Sequence, residues 1–485
     1  MLFLFIEISY ISQWFAKFIM NVFISILNFY SLFFLSKGFI LNNLLNTSIN
    51  YDAELTSKSL HEYVDLDVNP CDNFYKFSCG NWIKTRKIDI GYSEKFNNDS
   101  TTTVFDNFIK EFFAGKLNDE SIAIKKIYNI RKKCEQLSVS ERNKCEDKIL
   151  TFAVYALKRN TANIILDDMI KRFKEEFELL IDEKKDIFDK ESRDNLLKKL
   201  FEIEFTRNFD KDDTTSVLLM EKCYEEVGIS ENDSIEQILK KIKSLSKKNH
   251  TEYSCDDKMF NVYGYLTSAI HKNALYHAIL NKLSISASAL NEHWYSRYFP
   301  NALNYGGIGF VIAHEILHAF DNQNYKLVYG ADEKGKLIVT PGSIENFEKK
   351  LDCFVKQYDI QKESVTNKNV NGLLTLTENI ADNGGLKIAH RAYMKYLQSI
   401  GGEEPKVNGF ENFTSEQLFF ISFGRTFCEH KSKFYKEKEM VDDHTPSEIR
   451  INVALSNYKP FTNAFKCELN SKMNPEDKCE LWKNY

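Results

Sequence analysis

Val311-Ile312-Ala313-His314-Glu315-Ile316-Leu317-His318 is an apolar octet carrying two histidines four positions apart, with a glutamate beside the first. Residues four apart in a helix lie one above the other on the same face. His314 and His318 can therefore hold one ion together, while Glu315 stands at its edge within reach of a water proton. The plainer alternative is a buried helix with two hydrogen-bonded histidines. The pentad alone does not decide between the two.

A hydrolytic zinc site needs a third protein ligand and an open place for water. Glu378 is the candidate, in Thr377-Glu378-Asn379-Ile380-Ala381-Asp382-Asn383-Gly384-Gly385. Glu378 and Asp382 are again four apart, so in a helix both carboxylates face one way. One would meet the metal and the other a ligand imidazole, fixing its tautomer and raising its basicity. Taken alone, such an acidic pair is common on solvated helix faces.

The block Asn304-Tyr305-Gly306-Gly307-Ile308-Gly309 running into the His-Glu-x-x-His pentad, with Phe320-Asp321 after it, resembles the neprilysin family of zinc metalloendopeptidases. The Glu378 block resembles it too. The resemblance implies a mainly α fold with a small β component, of the gluzincin type, that hydrolyses peptides with one Zn2+ per chain. By it His314, His318 and Glu378 are the zinc ligands, Glu315 is the general base, and Asp382 is the carboxylate behind a ligand. Asn273-Ala274-Leu275-Tyr276 resembles the family's edge strand, whose Asn and Ala bind substrate backbone; here these are Asn273 and Ala274. An extended peptide adds to a sheet edge through main-chain hydrogen bonds, and an Asn side chain offers both a donor and an acceptor. Asp443-His444-Thr445-Pro446-Ser447-Glu448-Ile449-Arg450 resembles the segment that supplies a transition-state histidine and an arginine. His444 would then hydrogen-bond the oxyanion and Arg450 a substrate carbonyl. All four motifs keep the family's order within residues 273–450.

The chain has ten Cys, an even number, downstream of an export signal, which reads as a disulfide framework. Thiolate metal binding is the alternative, and no Cys-x-x-Cys pair supports it. The stretch from Asn69 to Trp82 resembles the family's N-terminal arm, stapled to the far C-terminal part of the fold. The family's connectivity implies Cys71 with Cys467, Cys79 with Cys428 and Cys353 with Cys479. Cys134, Cys145, Cys223 and Cys255 remain, with three possible pairings among them.

From Phe18 to Ser36 the chain carries no charge, long enough to span a hydrocarbon core. The length of this region and the lack of a small-residue cleavage site favour an uncleaved signal anchor, hence a single-pass type II plasma-membrane protein with an extracellular catalytic part. Cleavage of residues 1–36 as a signal peptide would make it secreted. Acceptor sequons at Asn46, Asn98, Asn232, Asn249 and Asn412 agree with placement outside the cytosol.

A net charge of −5 spread along 485 residues leaves no basic face for nucleic acid. The expected organisation is residues 1–41 as cytosolic tail and anchor, 42–68 as a polar stalk, 69–82 as the stapled arm, 83–255 as a shortened helical cap and 256–485 as the catalytic domain. The runs 161–182 and 192–206 carry apolar residues at helical spacing, and Pro is absent from 71 to 299. Two departures from the family stand out. The segment between Cys79 and Asn273 is far shorter than the family's chamber-enclosing cap. After Tyr276, residues 283–290 replace the Phe-Pro-x-Gly block that helps line the pocket beyond the scissile bond. The reading is therefore a membrane-anchored zinc endopeptidase, in competition with a peptide-binding pseudo-protease that has lost turnover. Oligomeric state is left open.

Overall fold

A computed structural model describes residues 51–86, 94–96, 164–207, 274–285, 298–330 and 334–482, with scattered positions between 114 and 296. The anchor region 1–41, Asn273, Cys145, Cys223 and Cys255 lie outside the described residues. Among the described residues no helix is long and apolar enough to cross a membrane.

The principal helices are α1 (Ala53–Tyr63), α2 (Phe74–Thr85), α3 (Ile164–Glu183), α4 (Lys190–Phe201), α5 (Phe310–Leu317), α6 (Pro341–Asp359), α7 (Leu376–Ser399), α8 (Ser415–Arg425), α9 (Lys433–Glu439) and α10 (Ser447–Asn457). Their ends follow local chemistry. Asp189 caps α4 by accepting from Ser192 N, and Thr340 caps α6 with Pro341 as its first residue. Thr414 and Gln417 close a reciprocal capping box on α8.

The strands are short: β1 (Glu94–Phe96), β2 (Glu204–Arg207), β3 (Ala274–His277), β4 (Lys282–Ile285), β5 (Leu327–Tyr329), β6 (Gly335–Leu337) and β7 (Glu429–Lys431). β2 runs parallel to β4 and β3 antiparallel to it, in the order β2-β4-β3, so among the described residues β3 has a strand partner on one edge alone. This is the edge strand expected from Asn-Ala-Leu-Tyr. The helix read over 192–206 stops at Phe201, and Glu204–Arg207 is a strand. Pairing with β4 along Glu204–Arg207 overrides the helical spacing. Residues 283–290 begin inside the central strand, with Leu283 and Ile285 fully buried in the core.

α5 is entirely buried and packs against α7. The two backbones come so close that a Cβ on Gly385 would lie 2.7 Å from His314 N, and one on Gly384 would lie 2.8 Å from Leu317 Cδ1. Only glycine fits at 385, where the atoms met are backbone; at 384 they belong to the Leu317 side chain. Upstream, α5 continues without a break from a π-helical turn, Tyr305–Gly309.

Several segments expected outside the catalytic domain are part of its core. α1 falls within residues read as a polar stalk, yet Leu60, Tyr63 and Val64 are buried. α3 and α4 come from the segment read as a cap, and α3 buries Leu166, Met169, Phe173, Phe177 and Leu180 at three- and four-residue spacing. Phe177 meets Phe320 and Trp482 edge-on, and Arg391 and Lys395 of α7 both pair with the buried Glu176. Residues 53–485 accordingly form one compact unit.

Among the described residues, three disulfides tie this unit together: Cys71–Cys467, Cys79–Cys428 and Cys353–Cys479. They are the three implied by the resemblance. Cys79–Cys428 spans 349 residues of sequence, so it removes much of the freedom of the unfolded chain. The double replacement Cys79→Ala, Cys428→Ala is expected to lower unfolding free energy by about 2–5 kcal/mol, read from chemical denaturation against wild type.

Candidate metal centre

α5 carries His314, and His318 directly follows its last residue, both on the side that meets α7, which brings Glu378 and Asp382 to them from its first turns. His314 Nε2 and His318 Nε2 are 3.0 Å apart. Glu378 lies against both, with Oε2 at 3.2 Å from His314 Nε2 and Oε1 at 3.4 Å from His318 Nε2. One donor atom from each residue falls within 4.8 Å of the others.

Each imidazole is backed by its own carboxylate. His314 Nδ1 is 2.9 Å from Asp382 Oδ1, and His318 Nδ1 is 3.1 Å from Asp321 Oδ2. When each Nδ1–H donates to its carboxylate, both Nε2 lone pairs aim at one point beside a third, anionic donor. That donor set repels itself unless a cation lies between. Two imidazoles and one carboxylate are a fit for zinc. The same demand for positive charge shows in His314. Burial works against its protonation, but hydrogen bonds to Asp382 and Glu378 outweigh this and carry its pKa up to about 10.

The carboxylates are set apart by their surroundings. Burial works against ionising Glu378, yet His314, His318 and Arg450 together hold it well below the usual carboxylate range. Glu315 goes the other way. Burial pushes its pKa up, only partly countered by the two histidines. Its Oε2 accepts a hydrogen bond from Tyr276 N at 2.9 Å, so the edge strand holds it directly.

Beyond these, Arg450 on α10 donates from Nε and Nη2 to the two oxygens of Asp382, both at 2.7 Å, and stacks 4.4 Å over Phe427. It stands against Asp382, whereas the sequence reading gives it a substrate carbonyl. His444 is half exposed, with Nε2 at 3.3 Å from Glu378 Oε2 and Nδ1 at 2.9 Å from the carboxylates of both Asp442 and Asp443. Ala274 is buried on β3.

Two contributions escape the sequence reading. Asp321 stands three residues after His318, a spacing that places it one helical turn on, which is the signal that could have found it. The Tyr276 main-chain amide leaves no mark on residue type at all.

Comparison with known proteins agrees with this geometry. Residues 273–481 match the model of peptidase family M13. The chain is 34% identical over 293 residues to Neprilysin-1 of Caenorhabditis elegans, covering 60% of this chain and 37% of that one. It is 41% identical over 211 residues to endothelin-converting enzyme 1 of Rattus norvegicus, covering 43% of this chain and 27% of that one. The chain thus spans only about a third of the length of such curated relatives, at 37% and 32% for two of them. In fold it is similar to the open state of zinc metalloprotease ZMP1 of Mycobacterium tuberculosis, with a TM-score of 0.54 at 22% identity, covering 72% of this chain and 53% of that one. It is also similar in fold to a chain of the Haemonchus galactose-containing glycoprotein complex, with a TM-score of 0.52 at 17% identity, covering 89% of this chain and 99% of that one.

Asp382 pairs with a guanidinium buried beneath the site, so removing it strands a charge. The substitution Asp382→Ala is expected to destabilise the fold by about 3–5 kcal/mol, measured by urea denaturation with chelator present in both wild type and variant.

Proposed function

We propose, from the peptidase family M13 domain at residues 273–481 and the donor set above, that this chain is a zinc-dependent endopeptidase acting on extracellular peptides. One observation carries the reading: the two Nε2 atoms and the Glu378 carboxylate converge beside a buried Glu315 that is hydrogen-bonded to an edge strand. His314, His318 and Glu378 would hold one zinc per chain. Zinc bound there would polarise a carbonyl and lower the pKa of a water.

The chain's own groups then divide the work. A peptide adds antiparallel or parallel to the open edge of β3, held by Ala274 and by Asn273 just before it. This brings its backbone alongside Glu315. With one oxygen fixed by Tyr276 N, Glu315 takes a proton from water with the other and later returns it to the leaving amine. Burial raises its pKa, which strengthens it as a base. Asp442 and Asp443 hold His444 by Nδ1, so Nε2 is the atom that would donate to the developing oxyanion. Arg450 uses two N–H groups on Asp382, and a substrate carbonyl would take one of the remaining three. The uncharged stretch from Phe18 to Ser36 supports a type II membrane anchor with the peptidase outside the cell. Three disulfides support the same oxidising compartment.

A second reading, a peptide-binding protein with impaired turnover, draws on two observations. Arg450 is committed to Asp382, and Leu283 and Ile285 of the altered block are buried in the core.

Two variants separate the readings. His318→Ala should lose bound zinc by elemental analysis. Glu315→Gln should keep zinc and cut turnover of a test peptide by at least about a hundredfold. A Glu315→Gln protein that cleaves at the wild-type rate would refute the mechanism. Zinc-loaded wild type that binds peptides without cleaving them would establish the second reading.

A further inference from the structure

Lys199 is a lysine in the wrong place by ordinary standards. It sits on the inner face of α4 with its side chain almost wholly buried, and burial drags its pKa down to about 7, with Asp321 working against this. A methionine would fill the same space without stranding an amine, so the amine calls for a reason in its contacts. Nζ donates to the carbonyls of Asn324 at 2.5 Å and Leu327 at 2.7 Å, in the turn that leaves the α5 region. It can do so whether protonated or not.

From Asn324 the contacts run back to the metal centre. Asn324 donates to Asp321 twice, from its main-chain N to Oδ1 at 2.9 Å and from Nδ2 to Oδ2 at 3.2 Å. Asp321 is the carboxylate behind His318.

A second branch starts from the same residue. The main-chain carbonyl of Lys199 accepts a hydrogen bond from Asn281 Nδ2 at 3.1 Å, and Asn281 Oδ1 accepts one from the Tyr276 hydroxyl at 2.9 Å. Tyr276 N in turn holds Glu315. Asn281 has φ 45°, a left-handed conformation that Asn tolerates better than most residues, and its carbonyl accepts from Glu204 N at 3.0 Å. The β3–β4 turn is therefore pinned to α4 and β2 from two sides.

We infer that Lys199 and Asn281 are positioning residues that brace the site from one point on α4: Lys199 fixes His318 through Asn324 and Asp321, and Asn281 fixes Glu315 through Tyr276. The ligand and the base are thereby kept in register by a helix that lies outside residues 273–481. This rests on the endopeptidase reading for its Glu315 half, while its His318 half concerns metal affinity alone.

The test uses the full chain, with zinc affinity measured by chelator competition and kcat and KM measured on a peptide that wild type cleaves. Lys199→Met should weaken zinc binding by about 10- to 100-fold, the usual effect of losing support behind a ligand, and Lys199→Arg should recover most of it. Asn281→Gly keeps the turn conformation while deleting the side chain. It and Tyr276→Phe should each lower kcat by about tenfold or more at nearly constant KM and unchanged zinc affinity, and the double variant should be no worse than either single one. Should Lys199→Met fail to fold, Asn324→Ala reads the same branch through its lost bond to Asp321. Wild-type zinc affinity in the variants of the first branch, with only melting temperature reduced, would overturn the His318 half. Unchanged kcat in Asn281→Gly and Tyr276→Phe, or additive losses in the double variant, would overturn the Glu315 half. Wild type that cleaves nothing would sink the endopeptidase reading and the Glu315 half with it, while the zinc affinities still decide the other.

Discussion

The close approach of α5 and α7 at Gly384 and Gly385 is the constraint on which the site depends. With no Cβ at either position, the backbone of α7 rests on the backbone around His314. Asp382 lies within one turn before these glycines and Glu378 about two turns before them on the same helix, so this contact brings both carboxylates within 3.2 Å or less of His314. A single methyl group at position 385 would push the helices apart by an amount comparable with a hydrogen-bond tolerance. The glycines thus act on chemistry although neither carries a functional group.

Such an approach concentrates charge in a place largely withdrawn from bulk water. Asp382, Glu378 and Asp321 are all buried, and burying three carboxylates is tolerable only if each has a partner. Arg450 supplies a fixed positive charge to Asp382, and His314 and His318 stand 2.9–3.4 Å from all three. Glu315 is the exception: it receives one main-chain amide and is buried, so its proton affinity rises while that of Glu378 falls. Two glutamates of the same intrinsic chemistry are thereby separated into a base and a ligand.

The parts of the chain before β3 matter more than their place in the sequence suggests. α3 packs its aromatic residues under α5 and α7, and α4 holds the β3–β4 turn and the segment that follows His318. The disulfides from Cys71 and Cys79 fasten α2 and its approach to the C-terminal helices. Among the described residues, the apolar faces of these elements lie in the same core as α5 and α7.

Legible in the amino-acid pattern alone is the local chemistry: His314, Glu315 and His318 on one helical turn, Glu378 and Asp382 on another, and a strand through Ala274–Tyr276. Those relations depend on helical and strand periodicity, which is fixed by residues within a few positions of each other. Cysteine pairing was legible only through the family resemblance, since spacing alone permits many connectivities. Tertiary structure decided which carboxylate serves which histidine, that Arg450 faces Asp382, that a main-chain amide of β3 holds Glu315, and that Lys199 reaches the turn after His318. Each of these joins segments whose distance is set by how helices dock, and docking depends on the summed shape of many buried side chains, which no short pattern encodes.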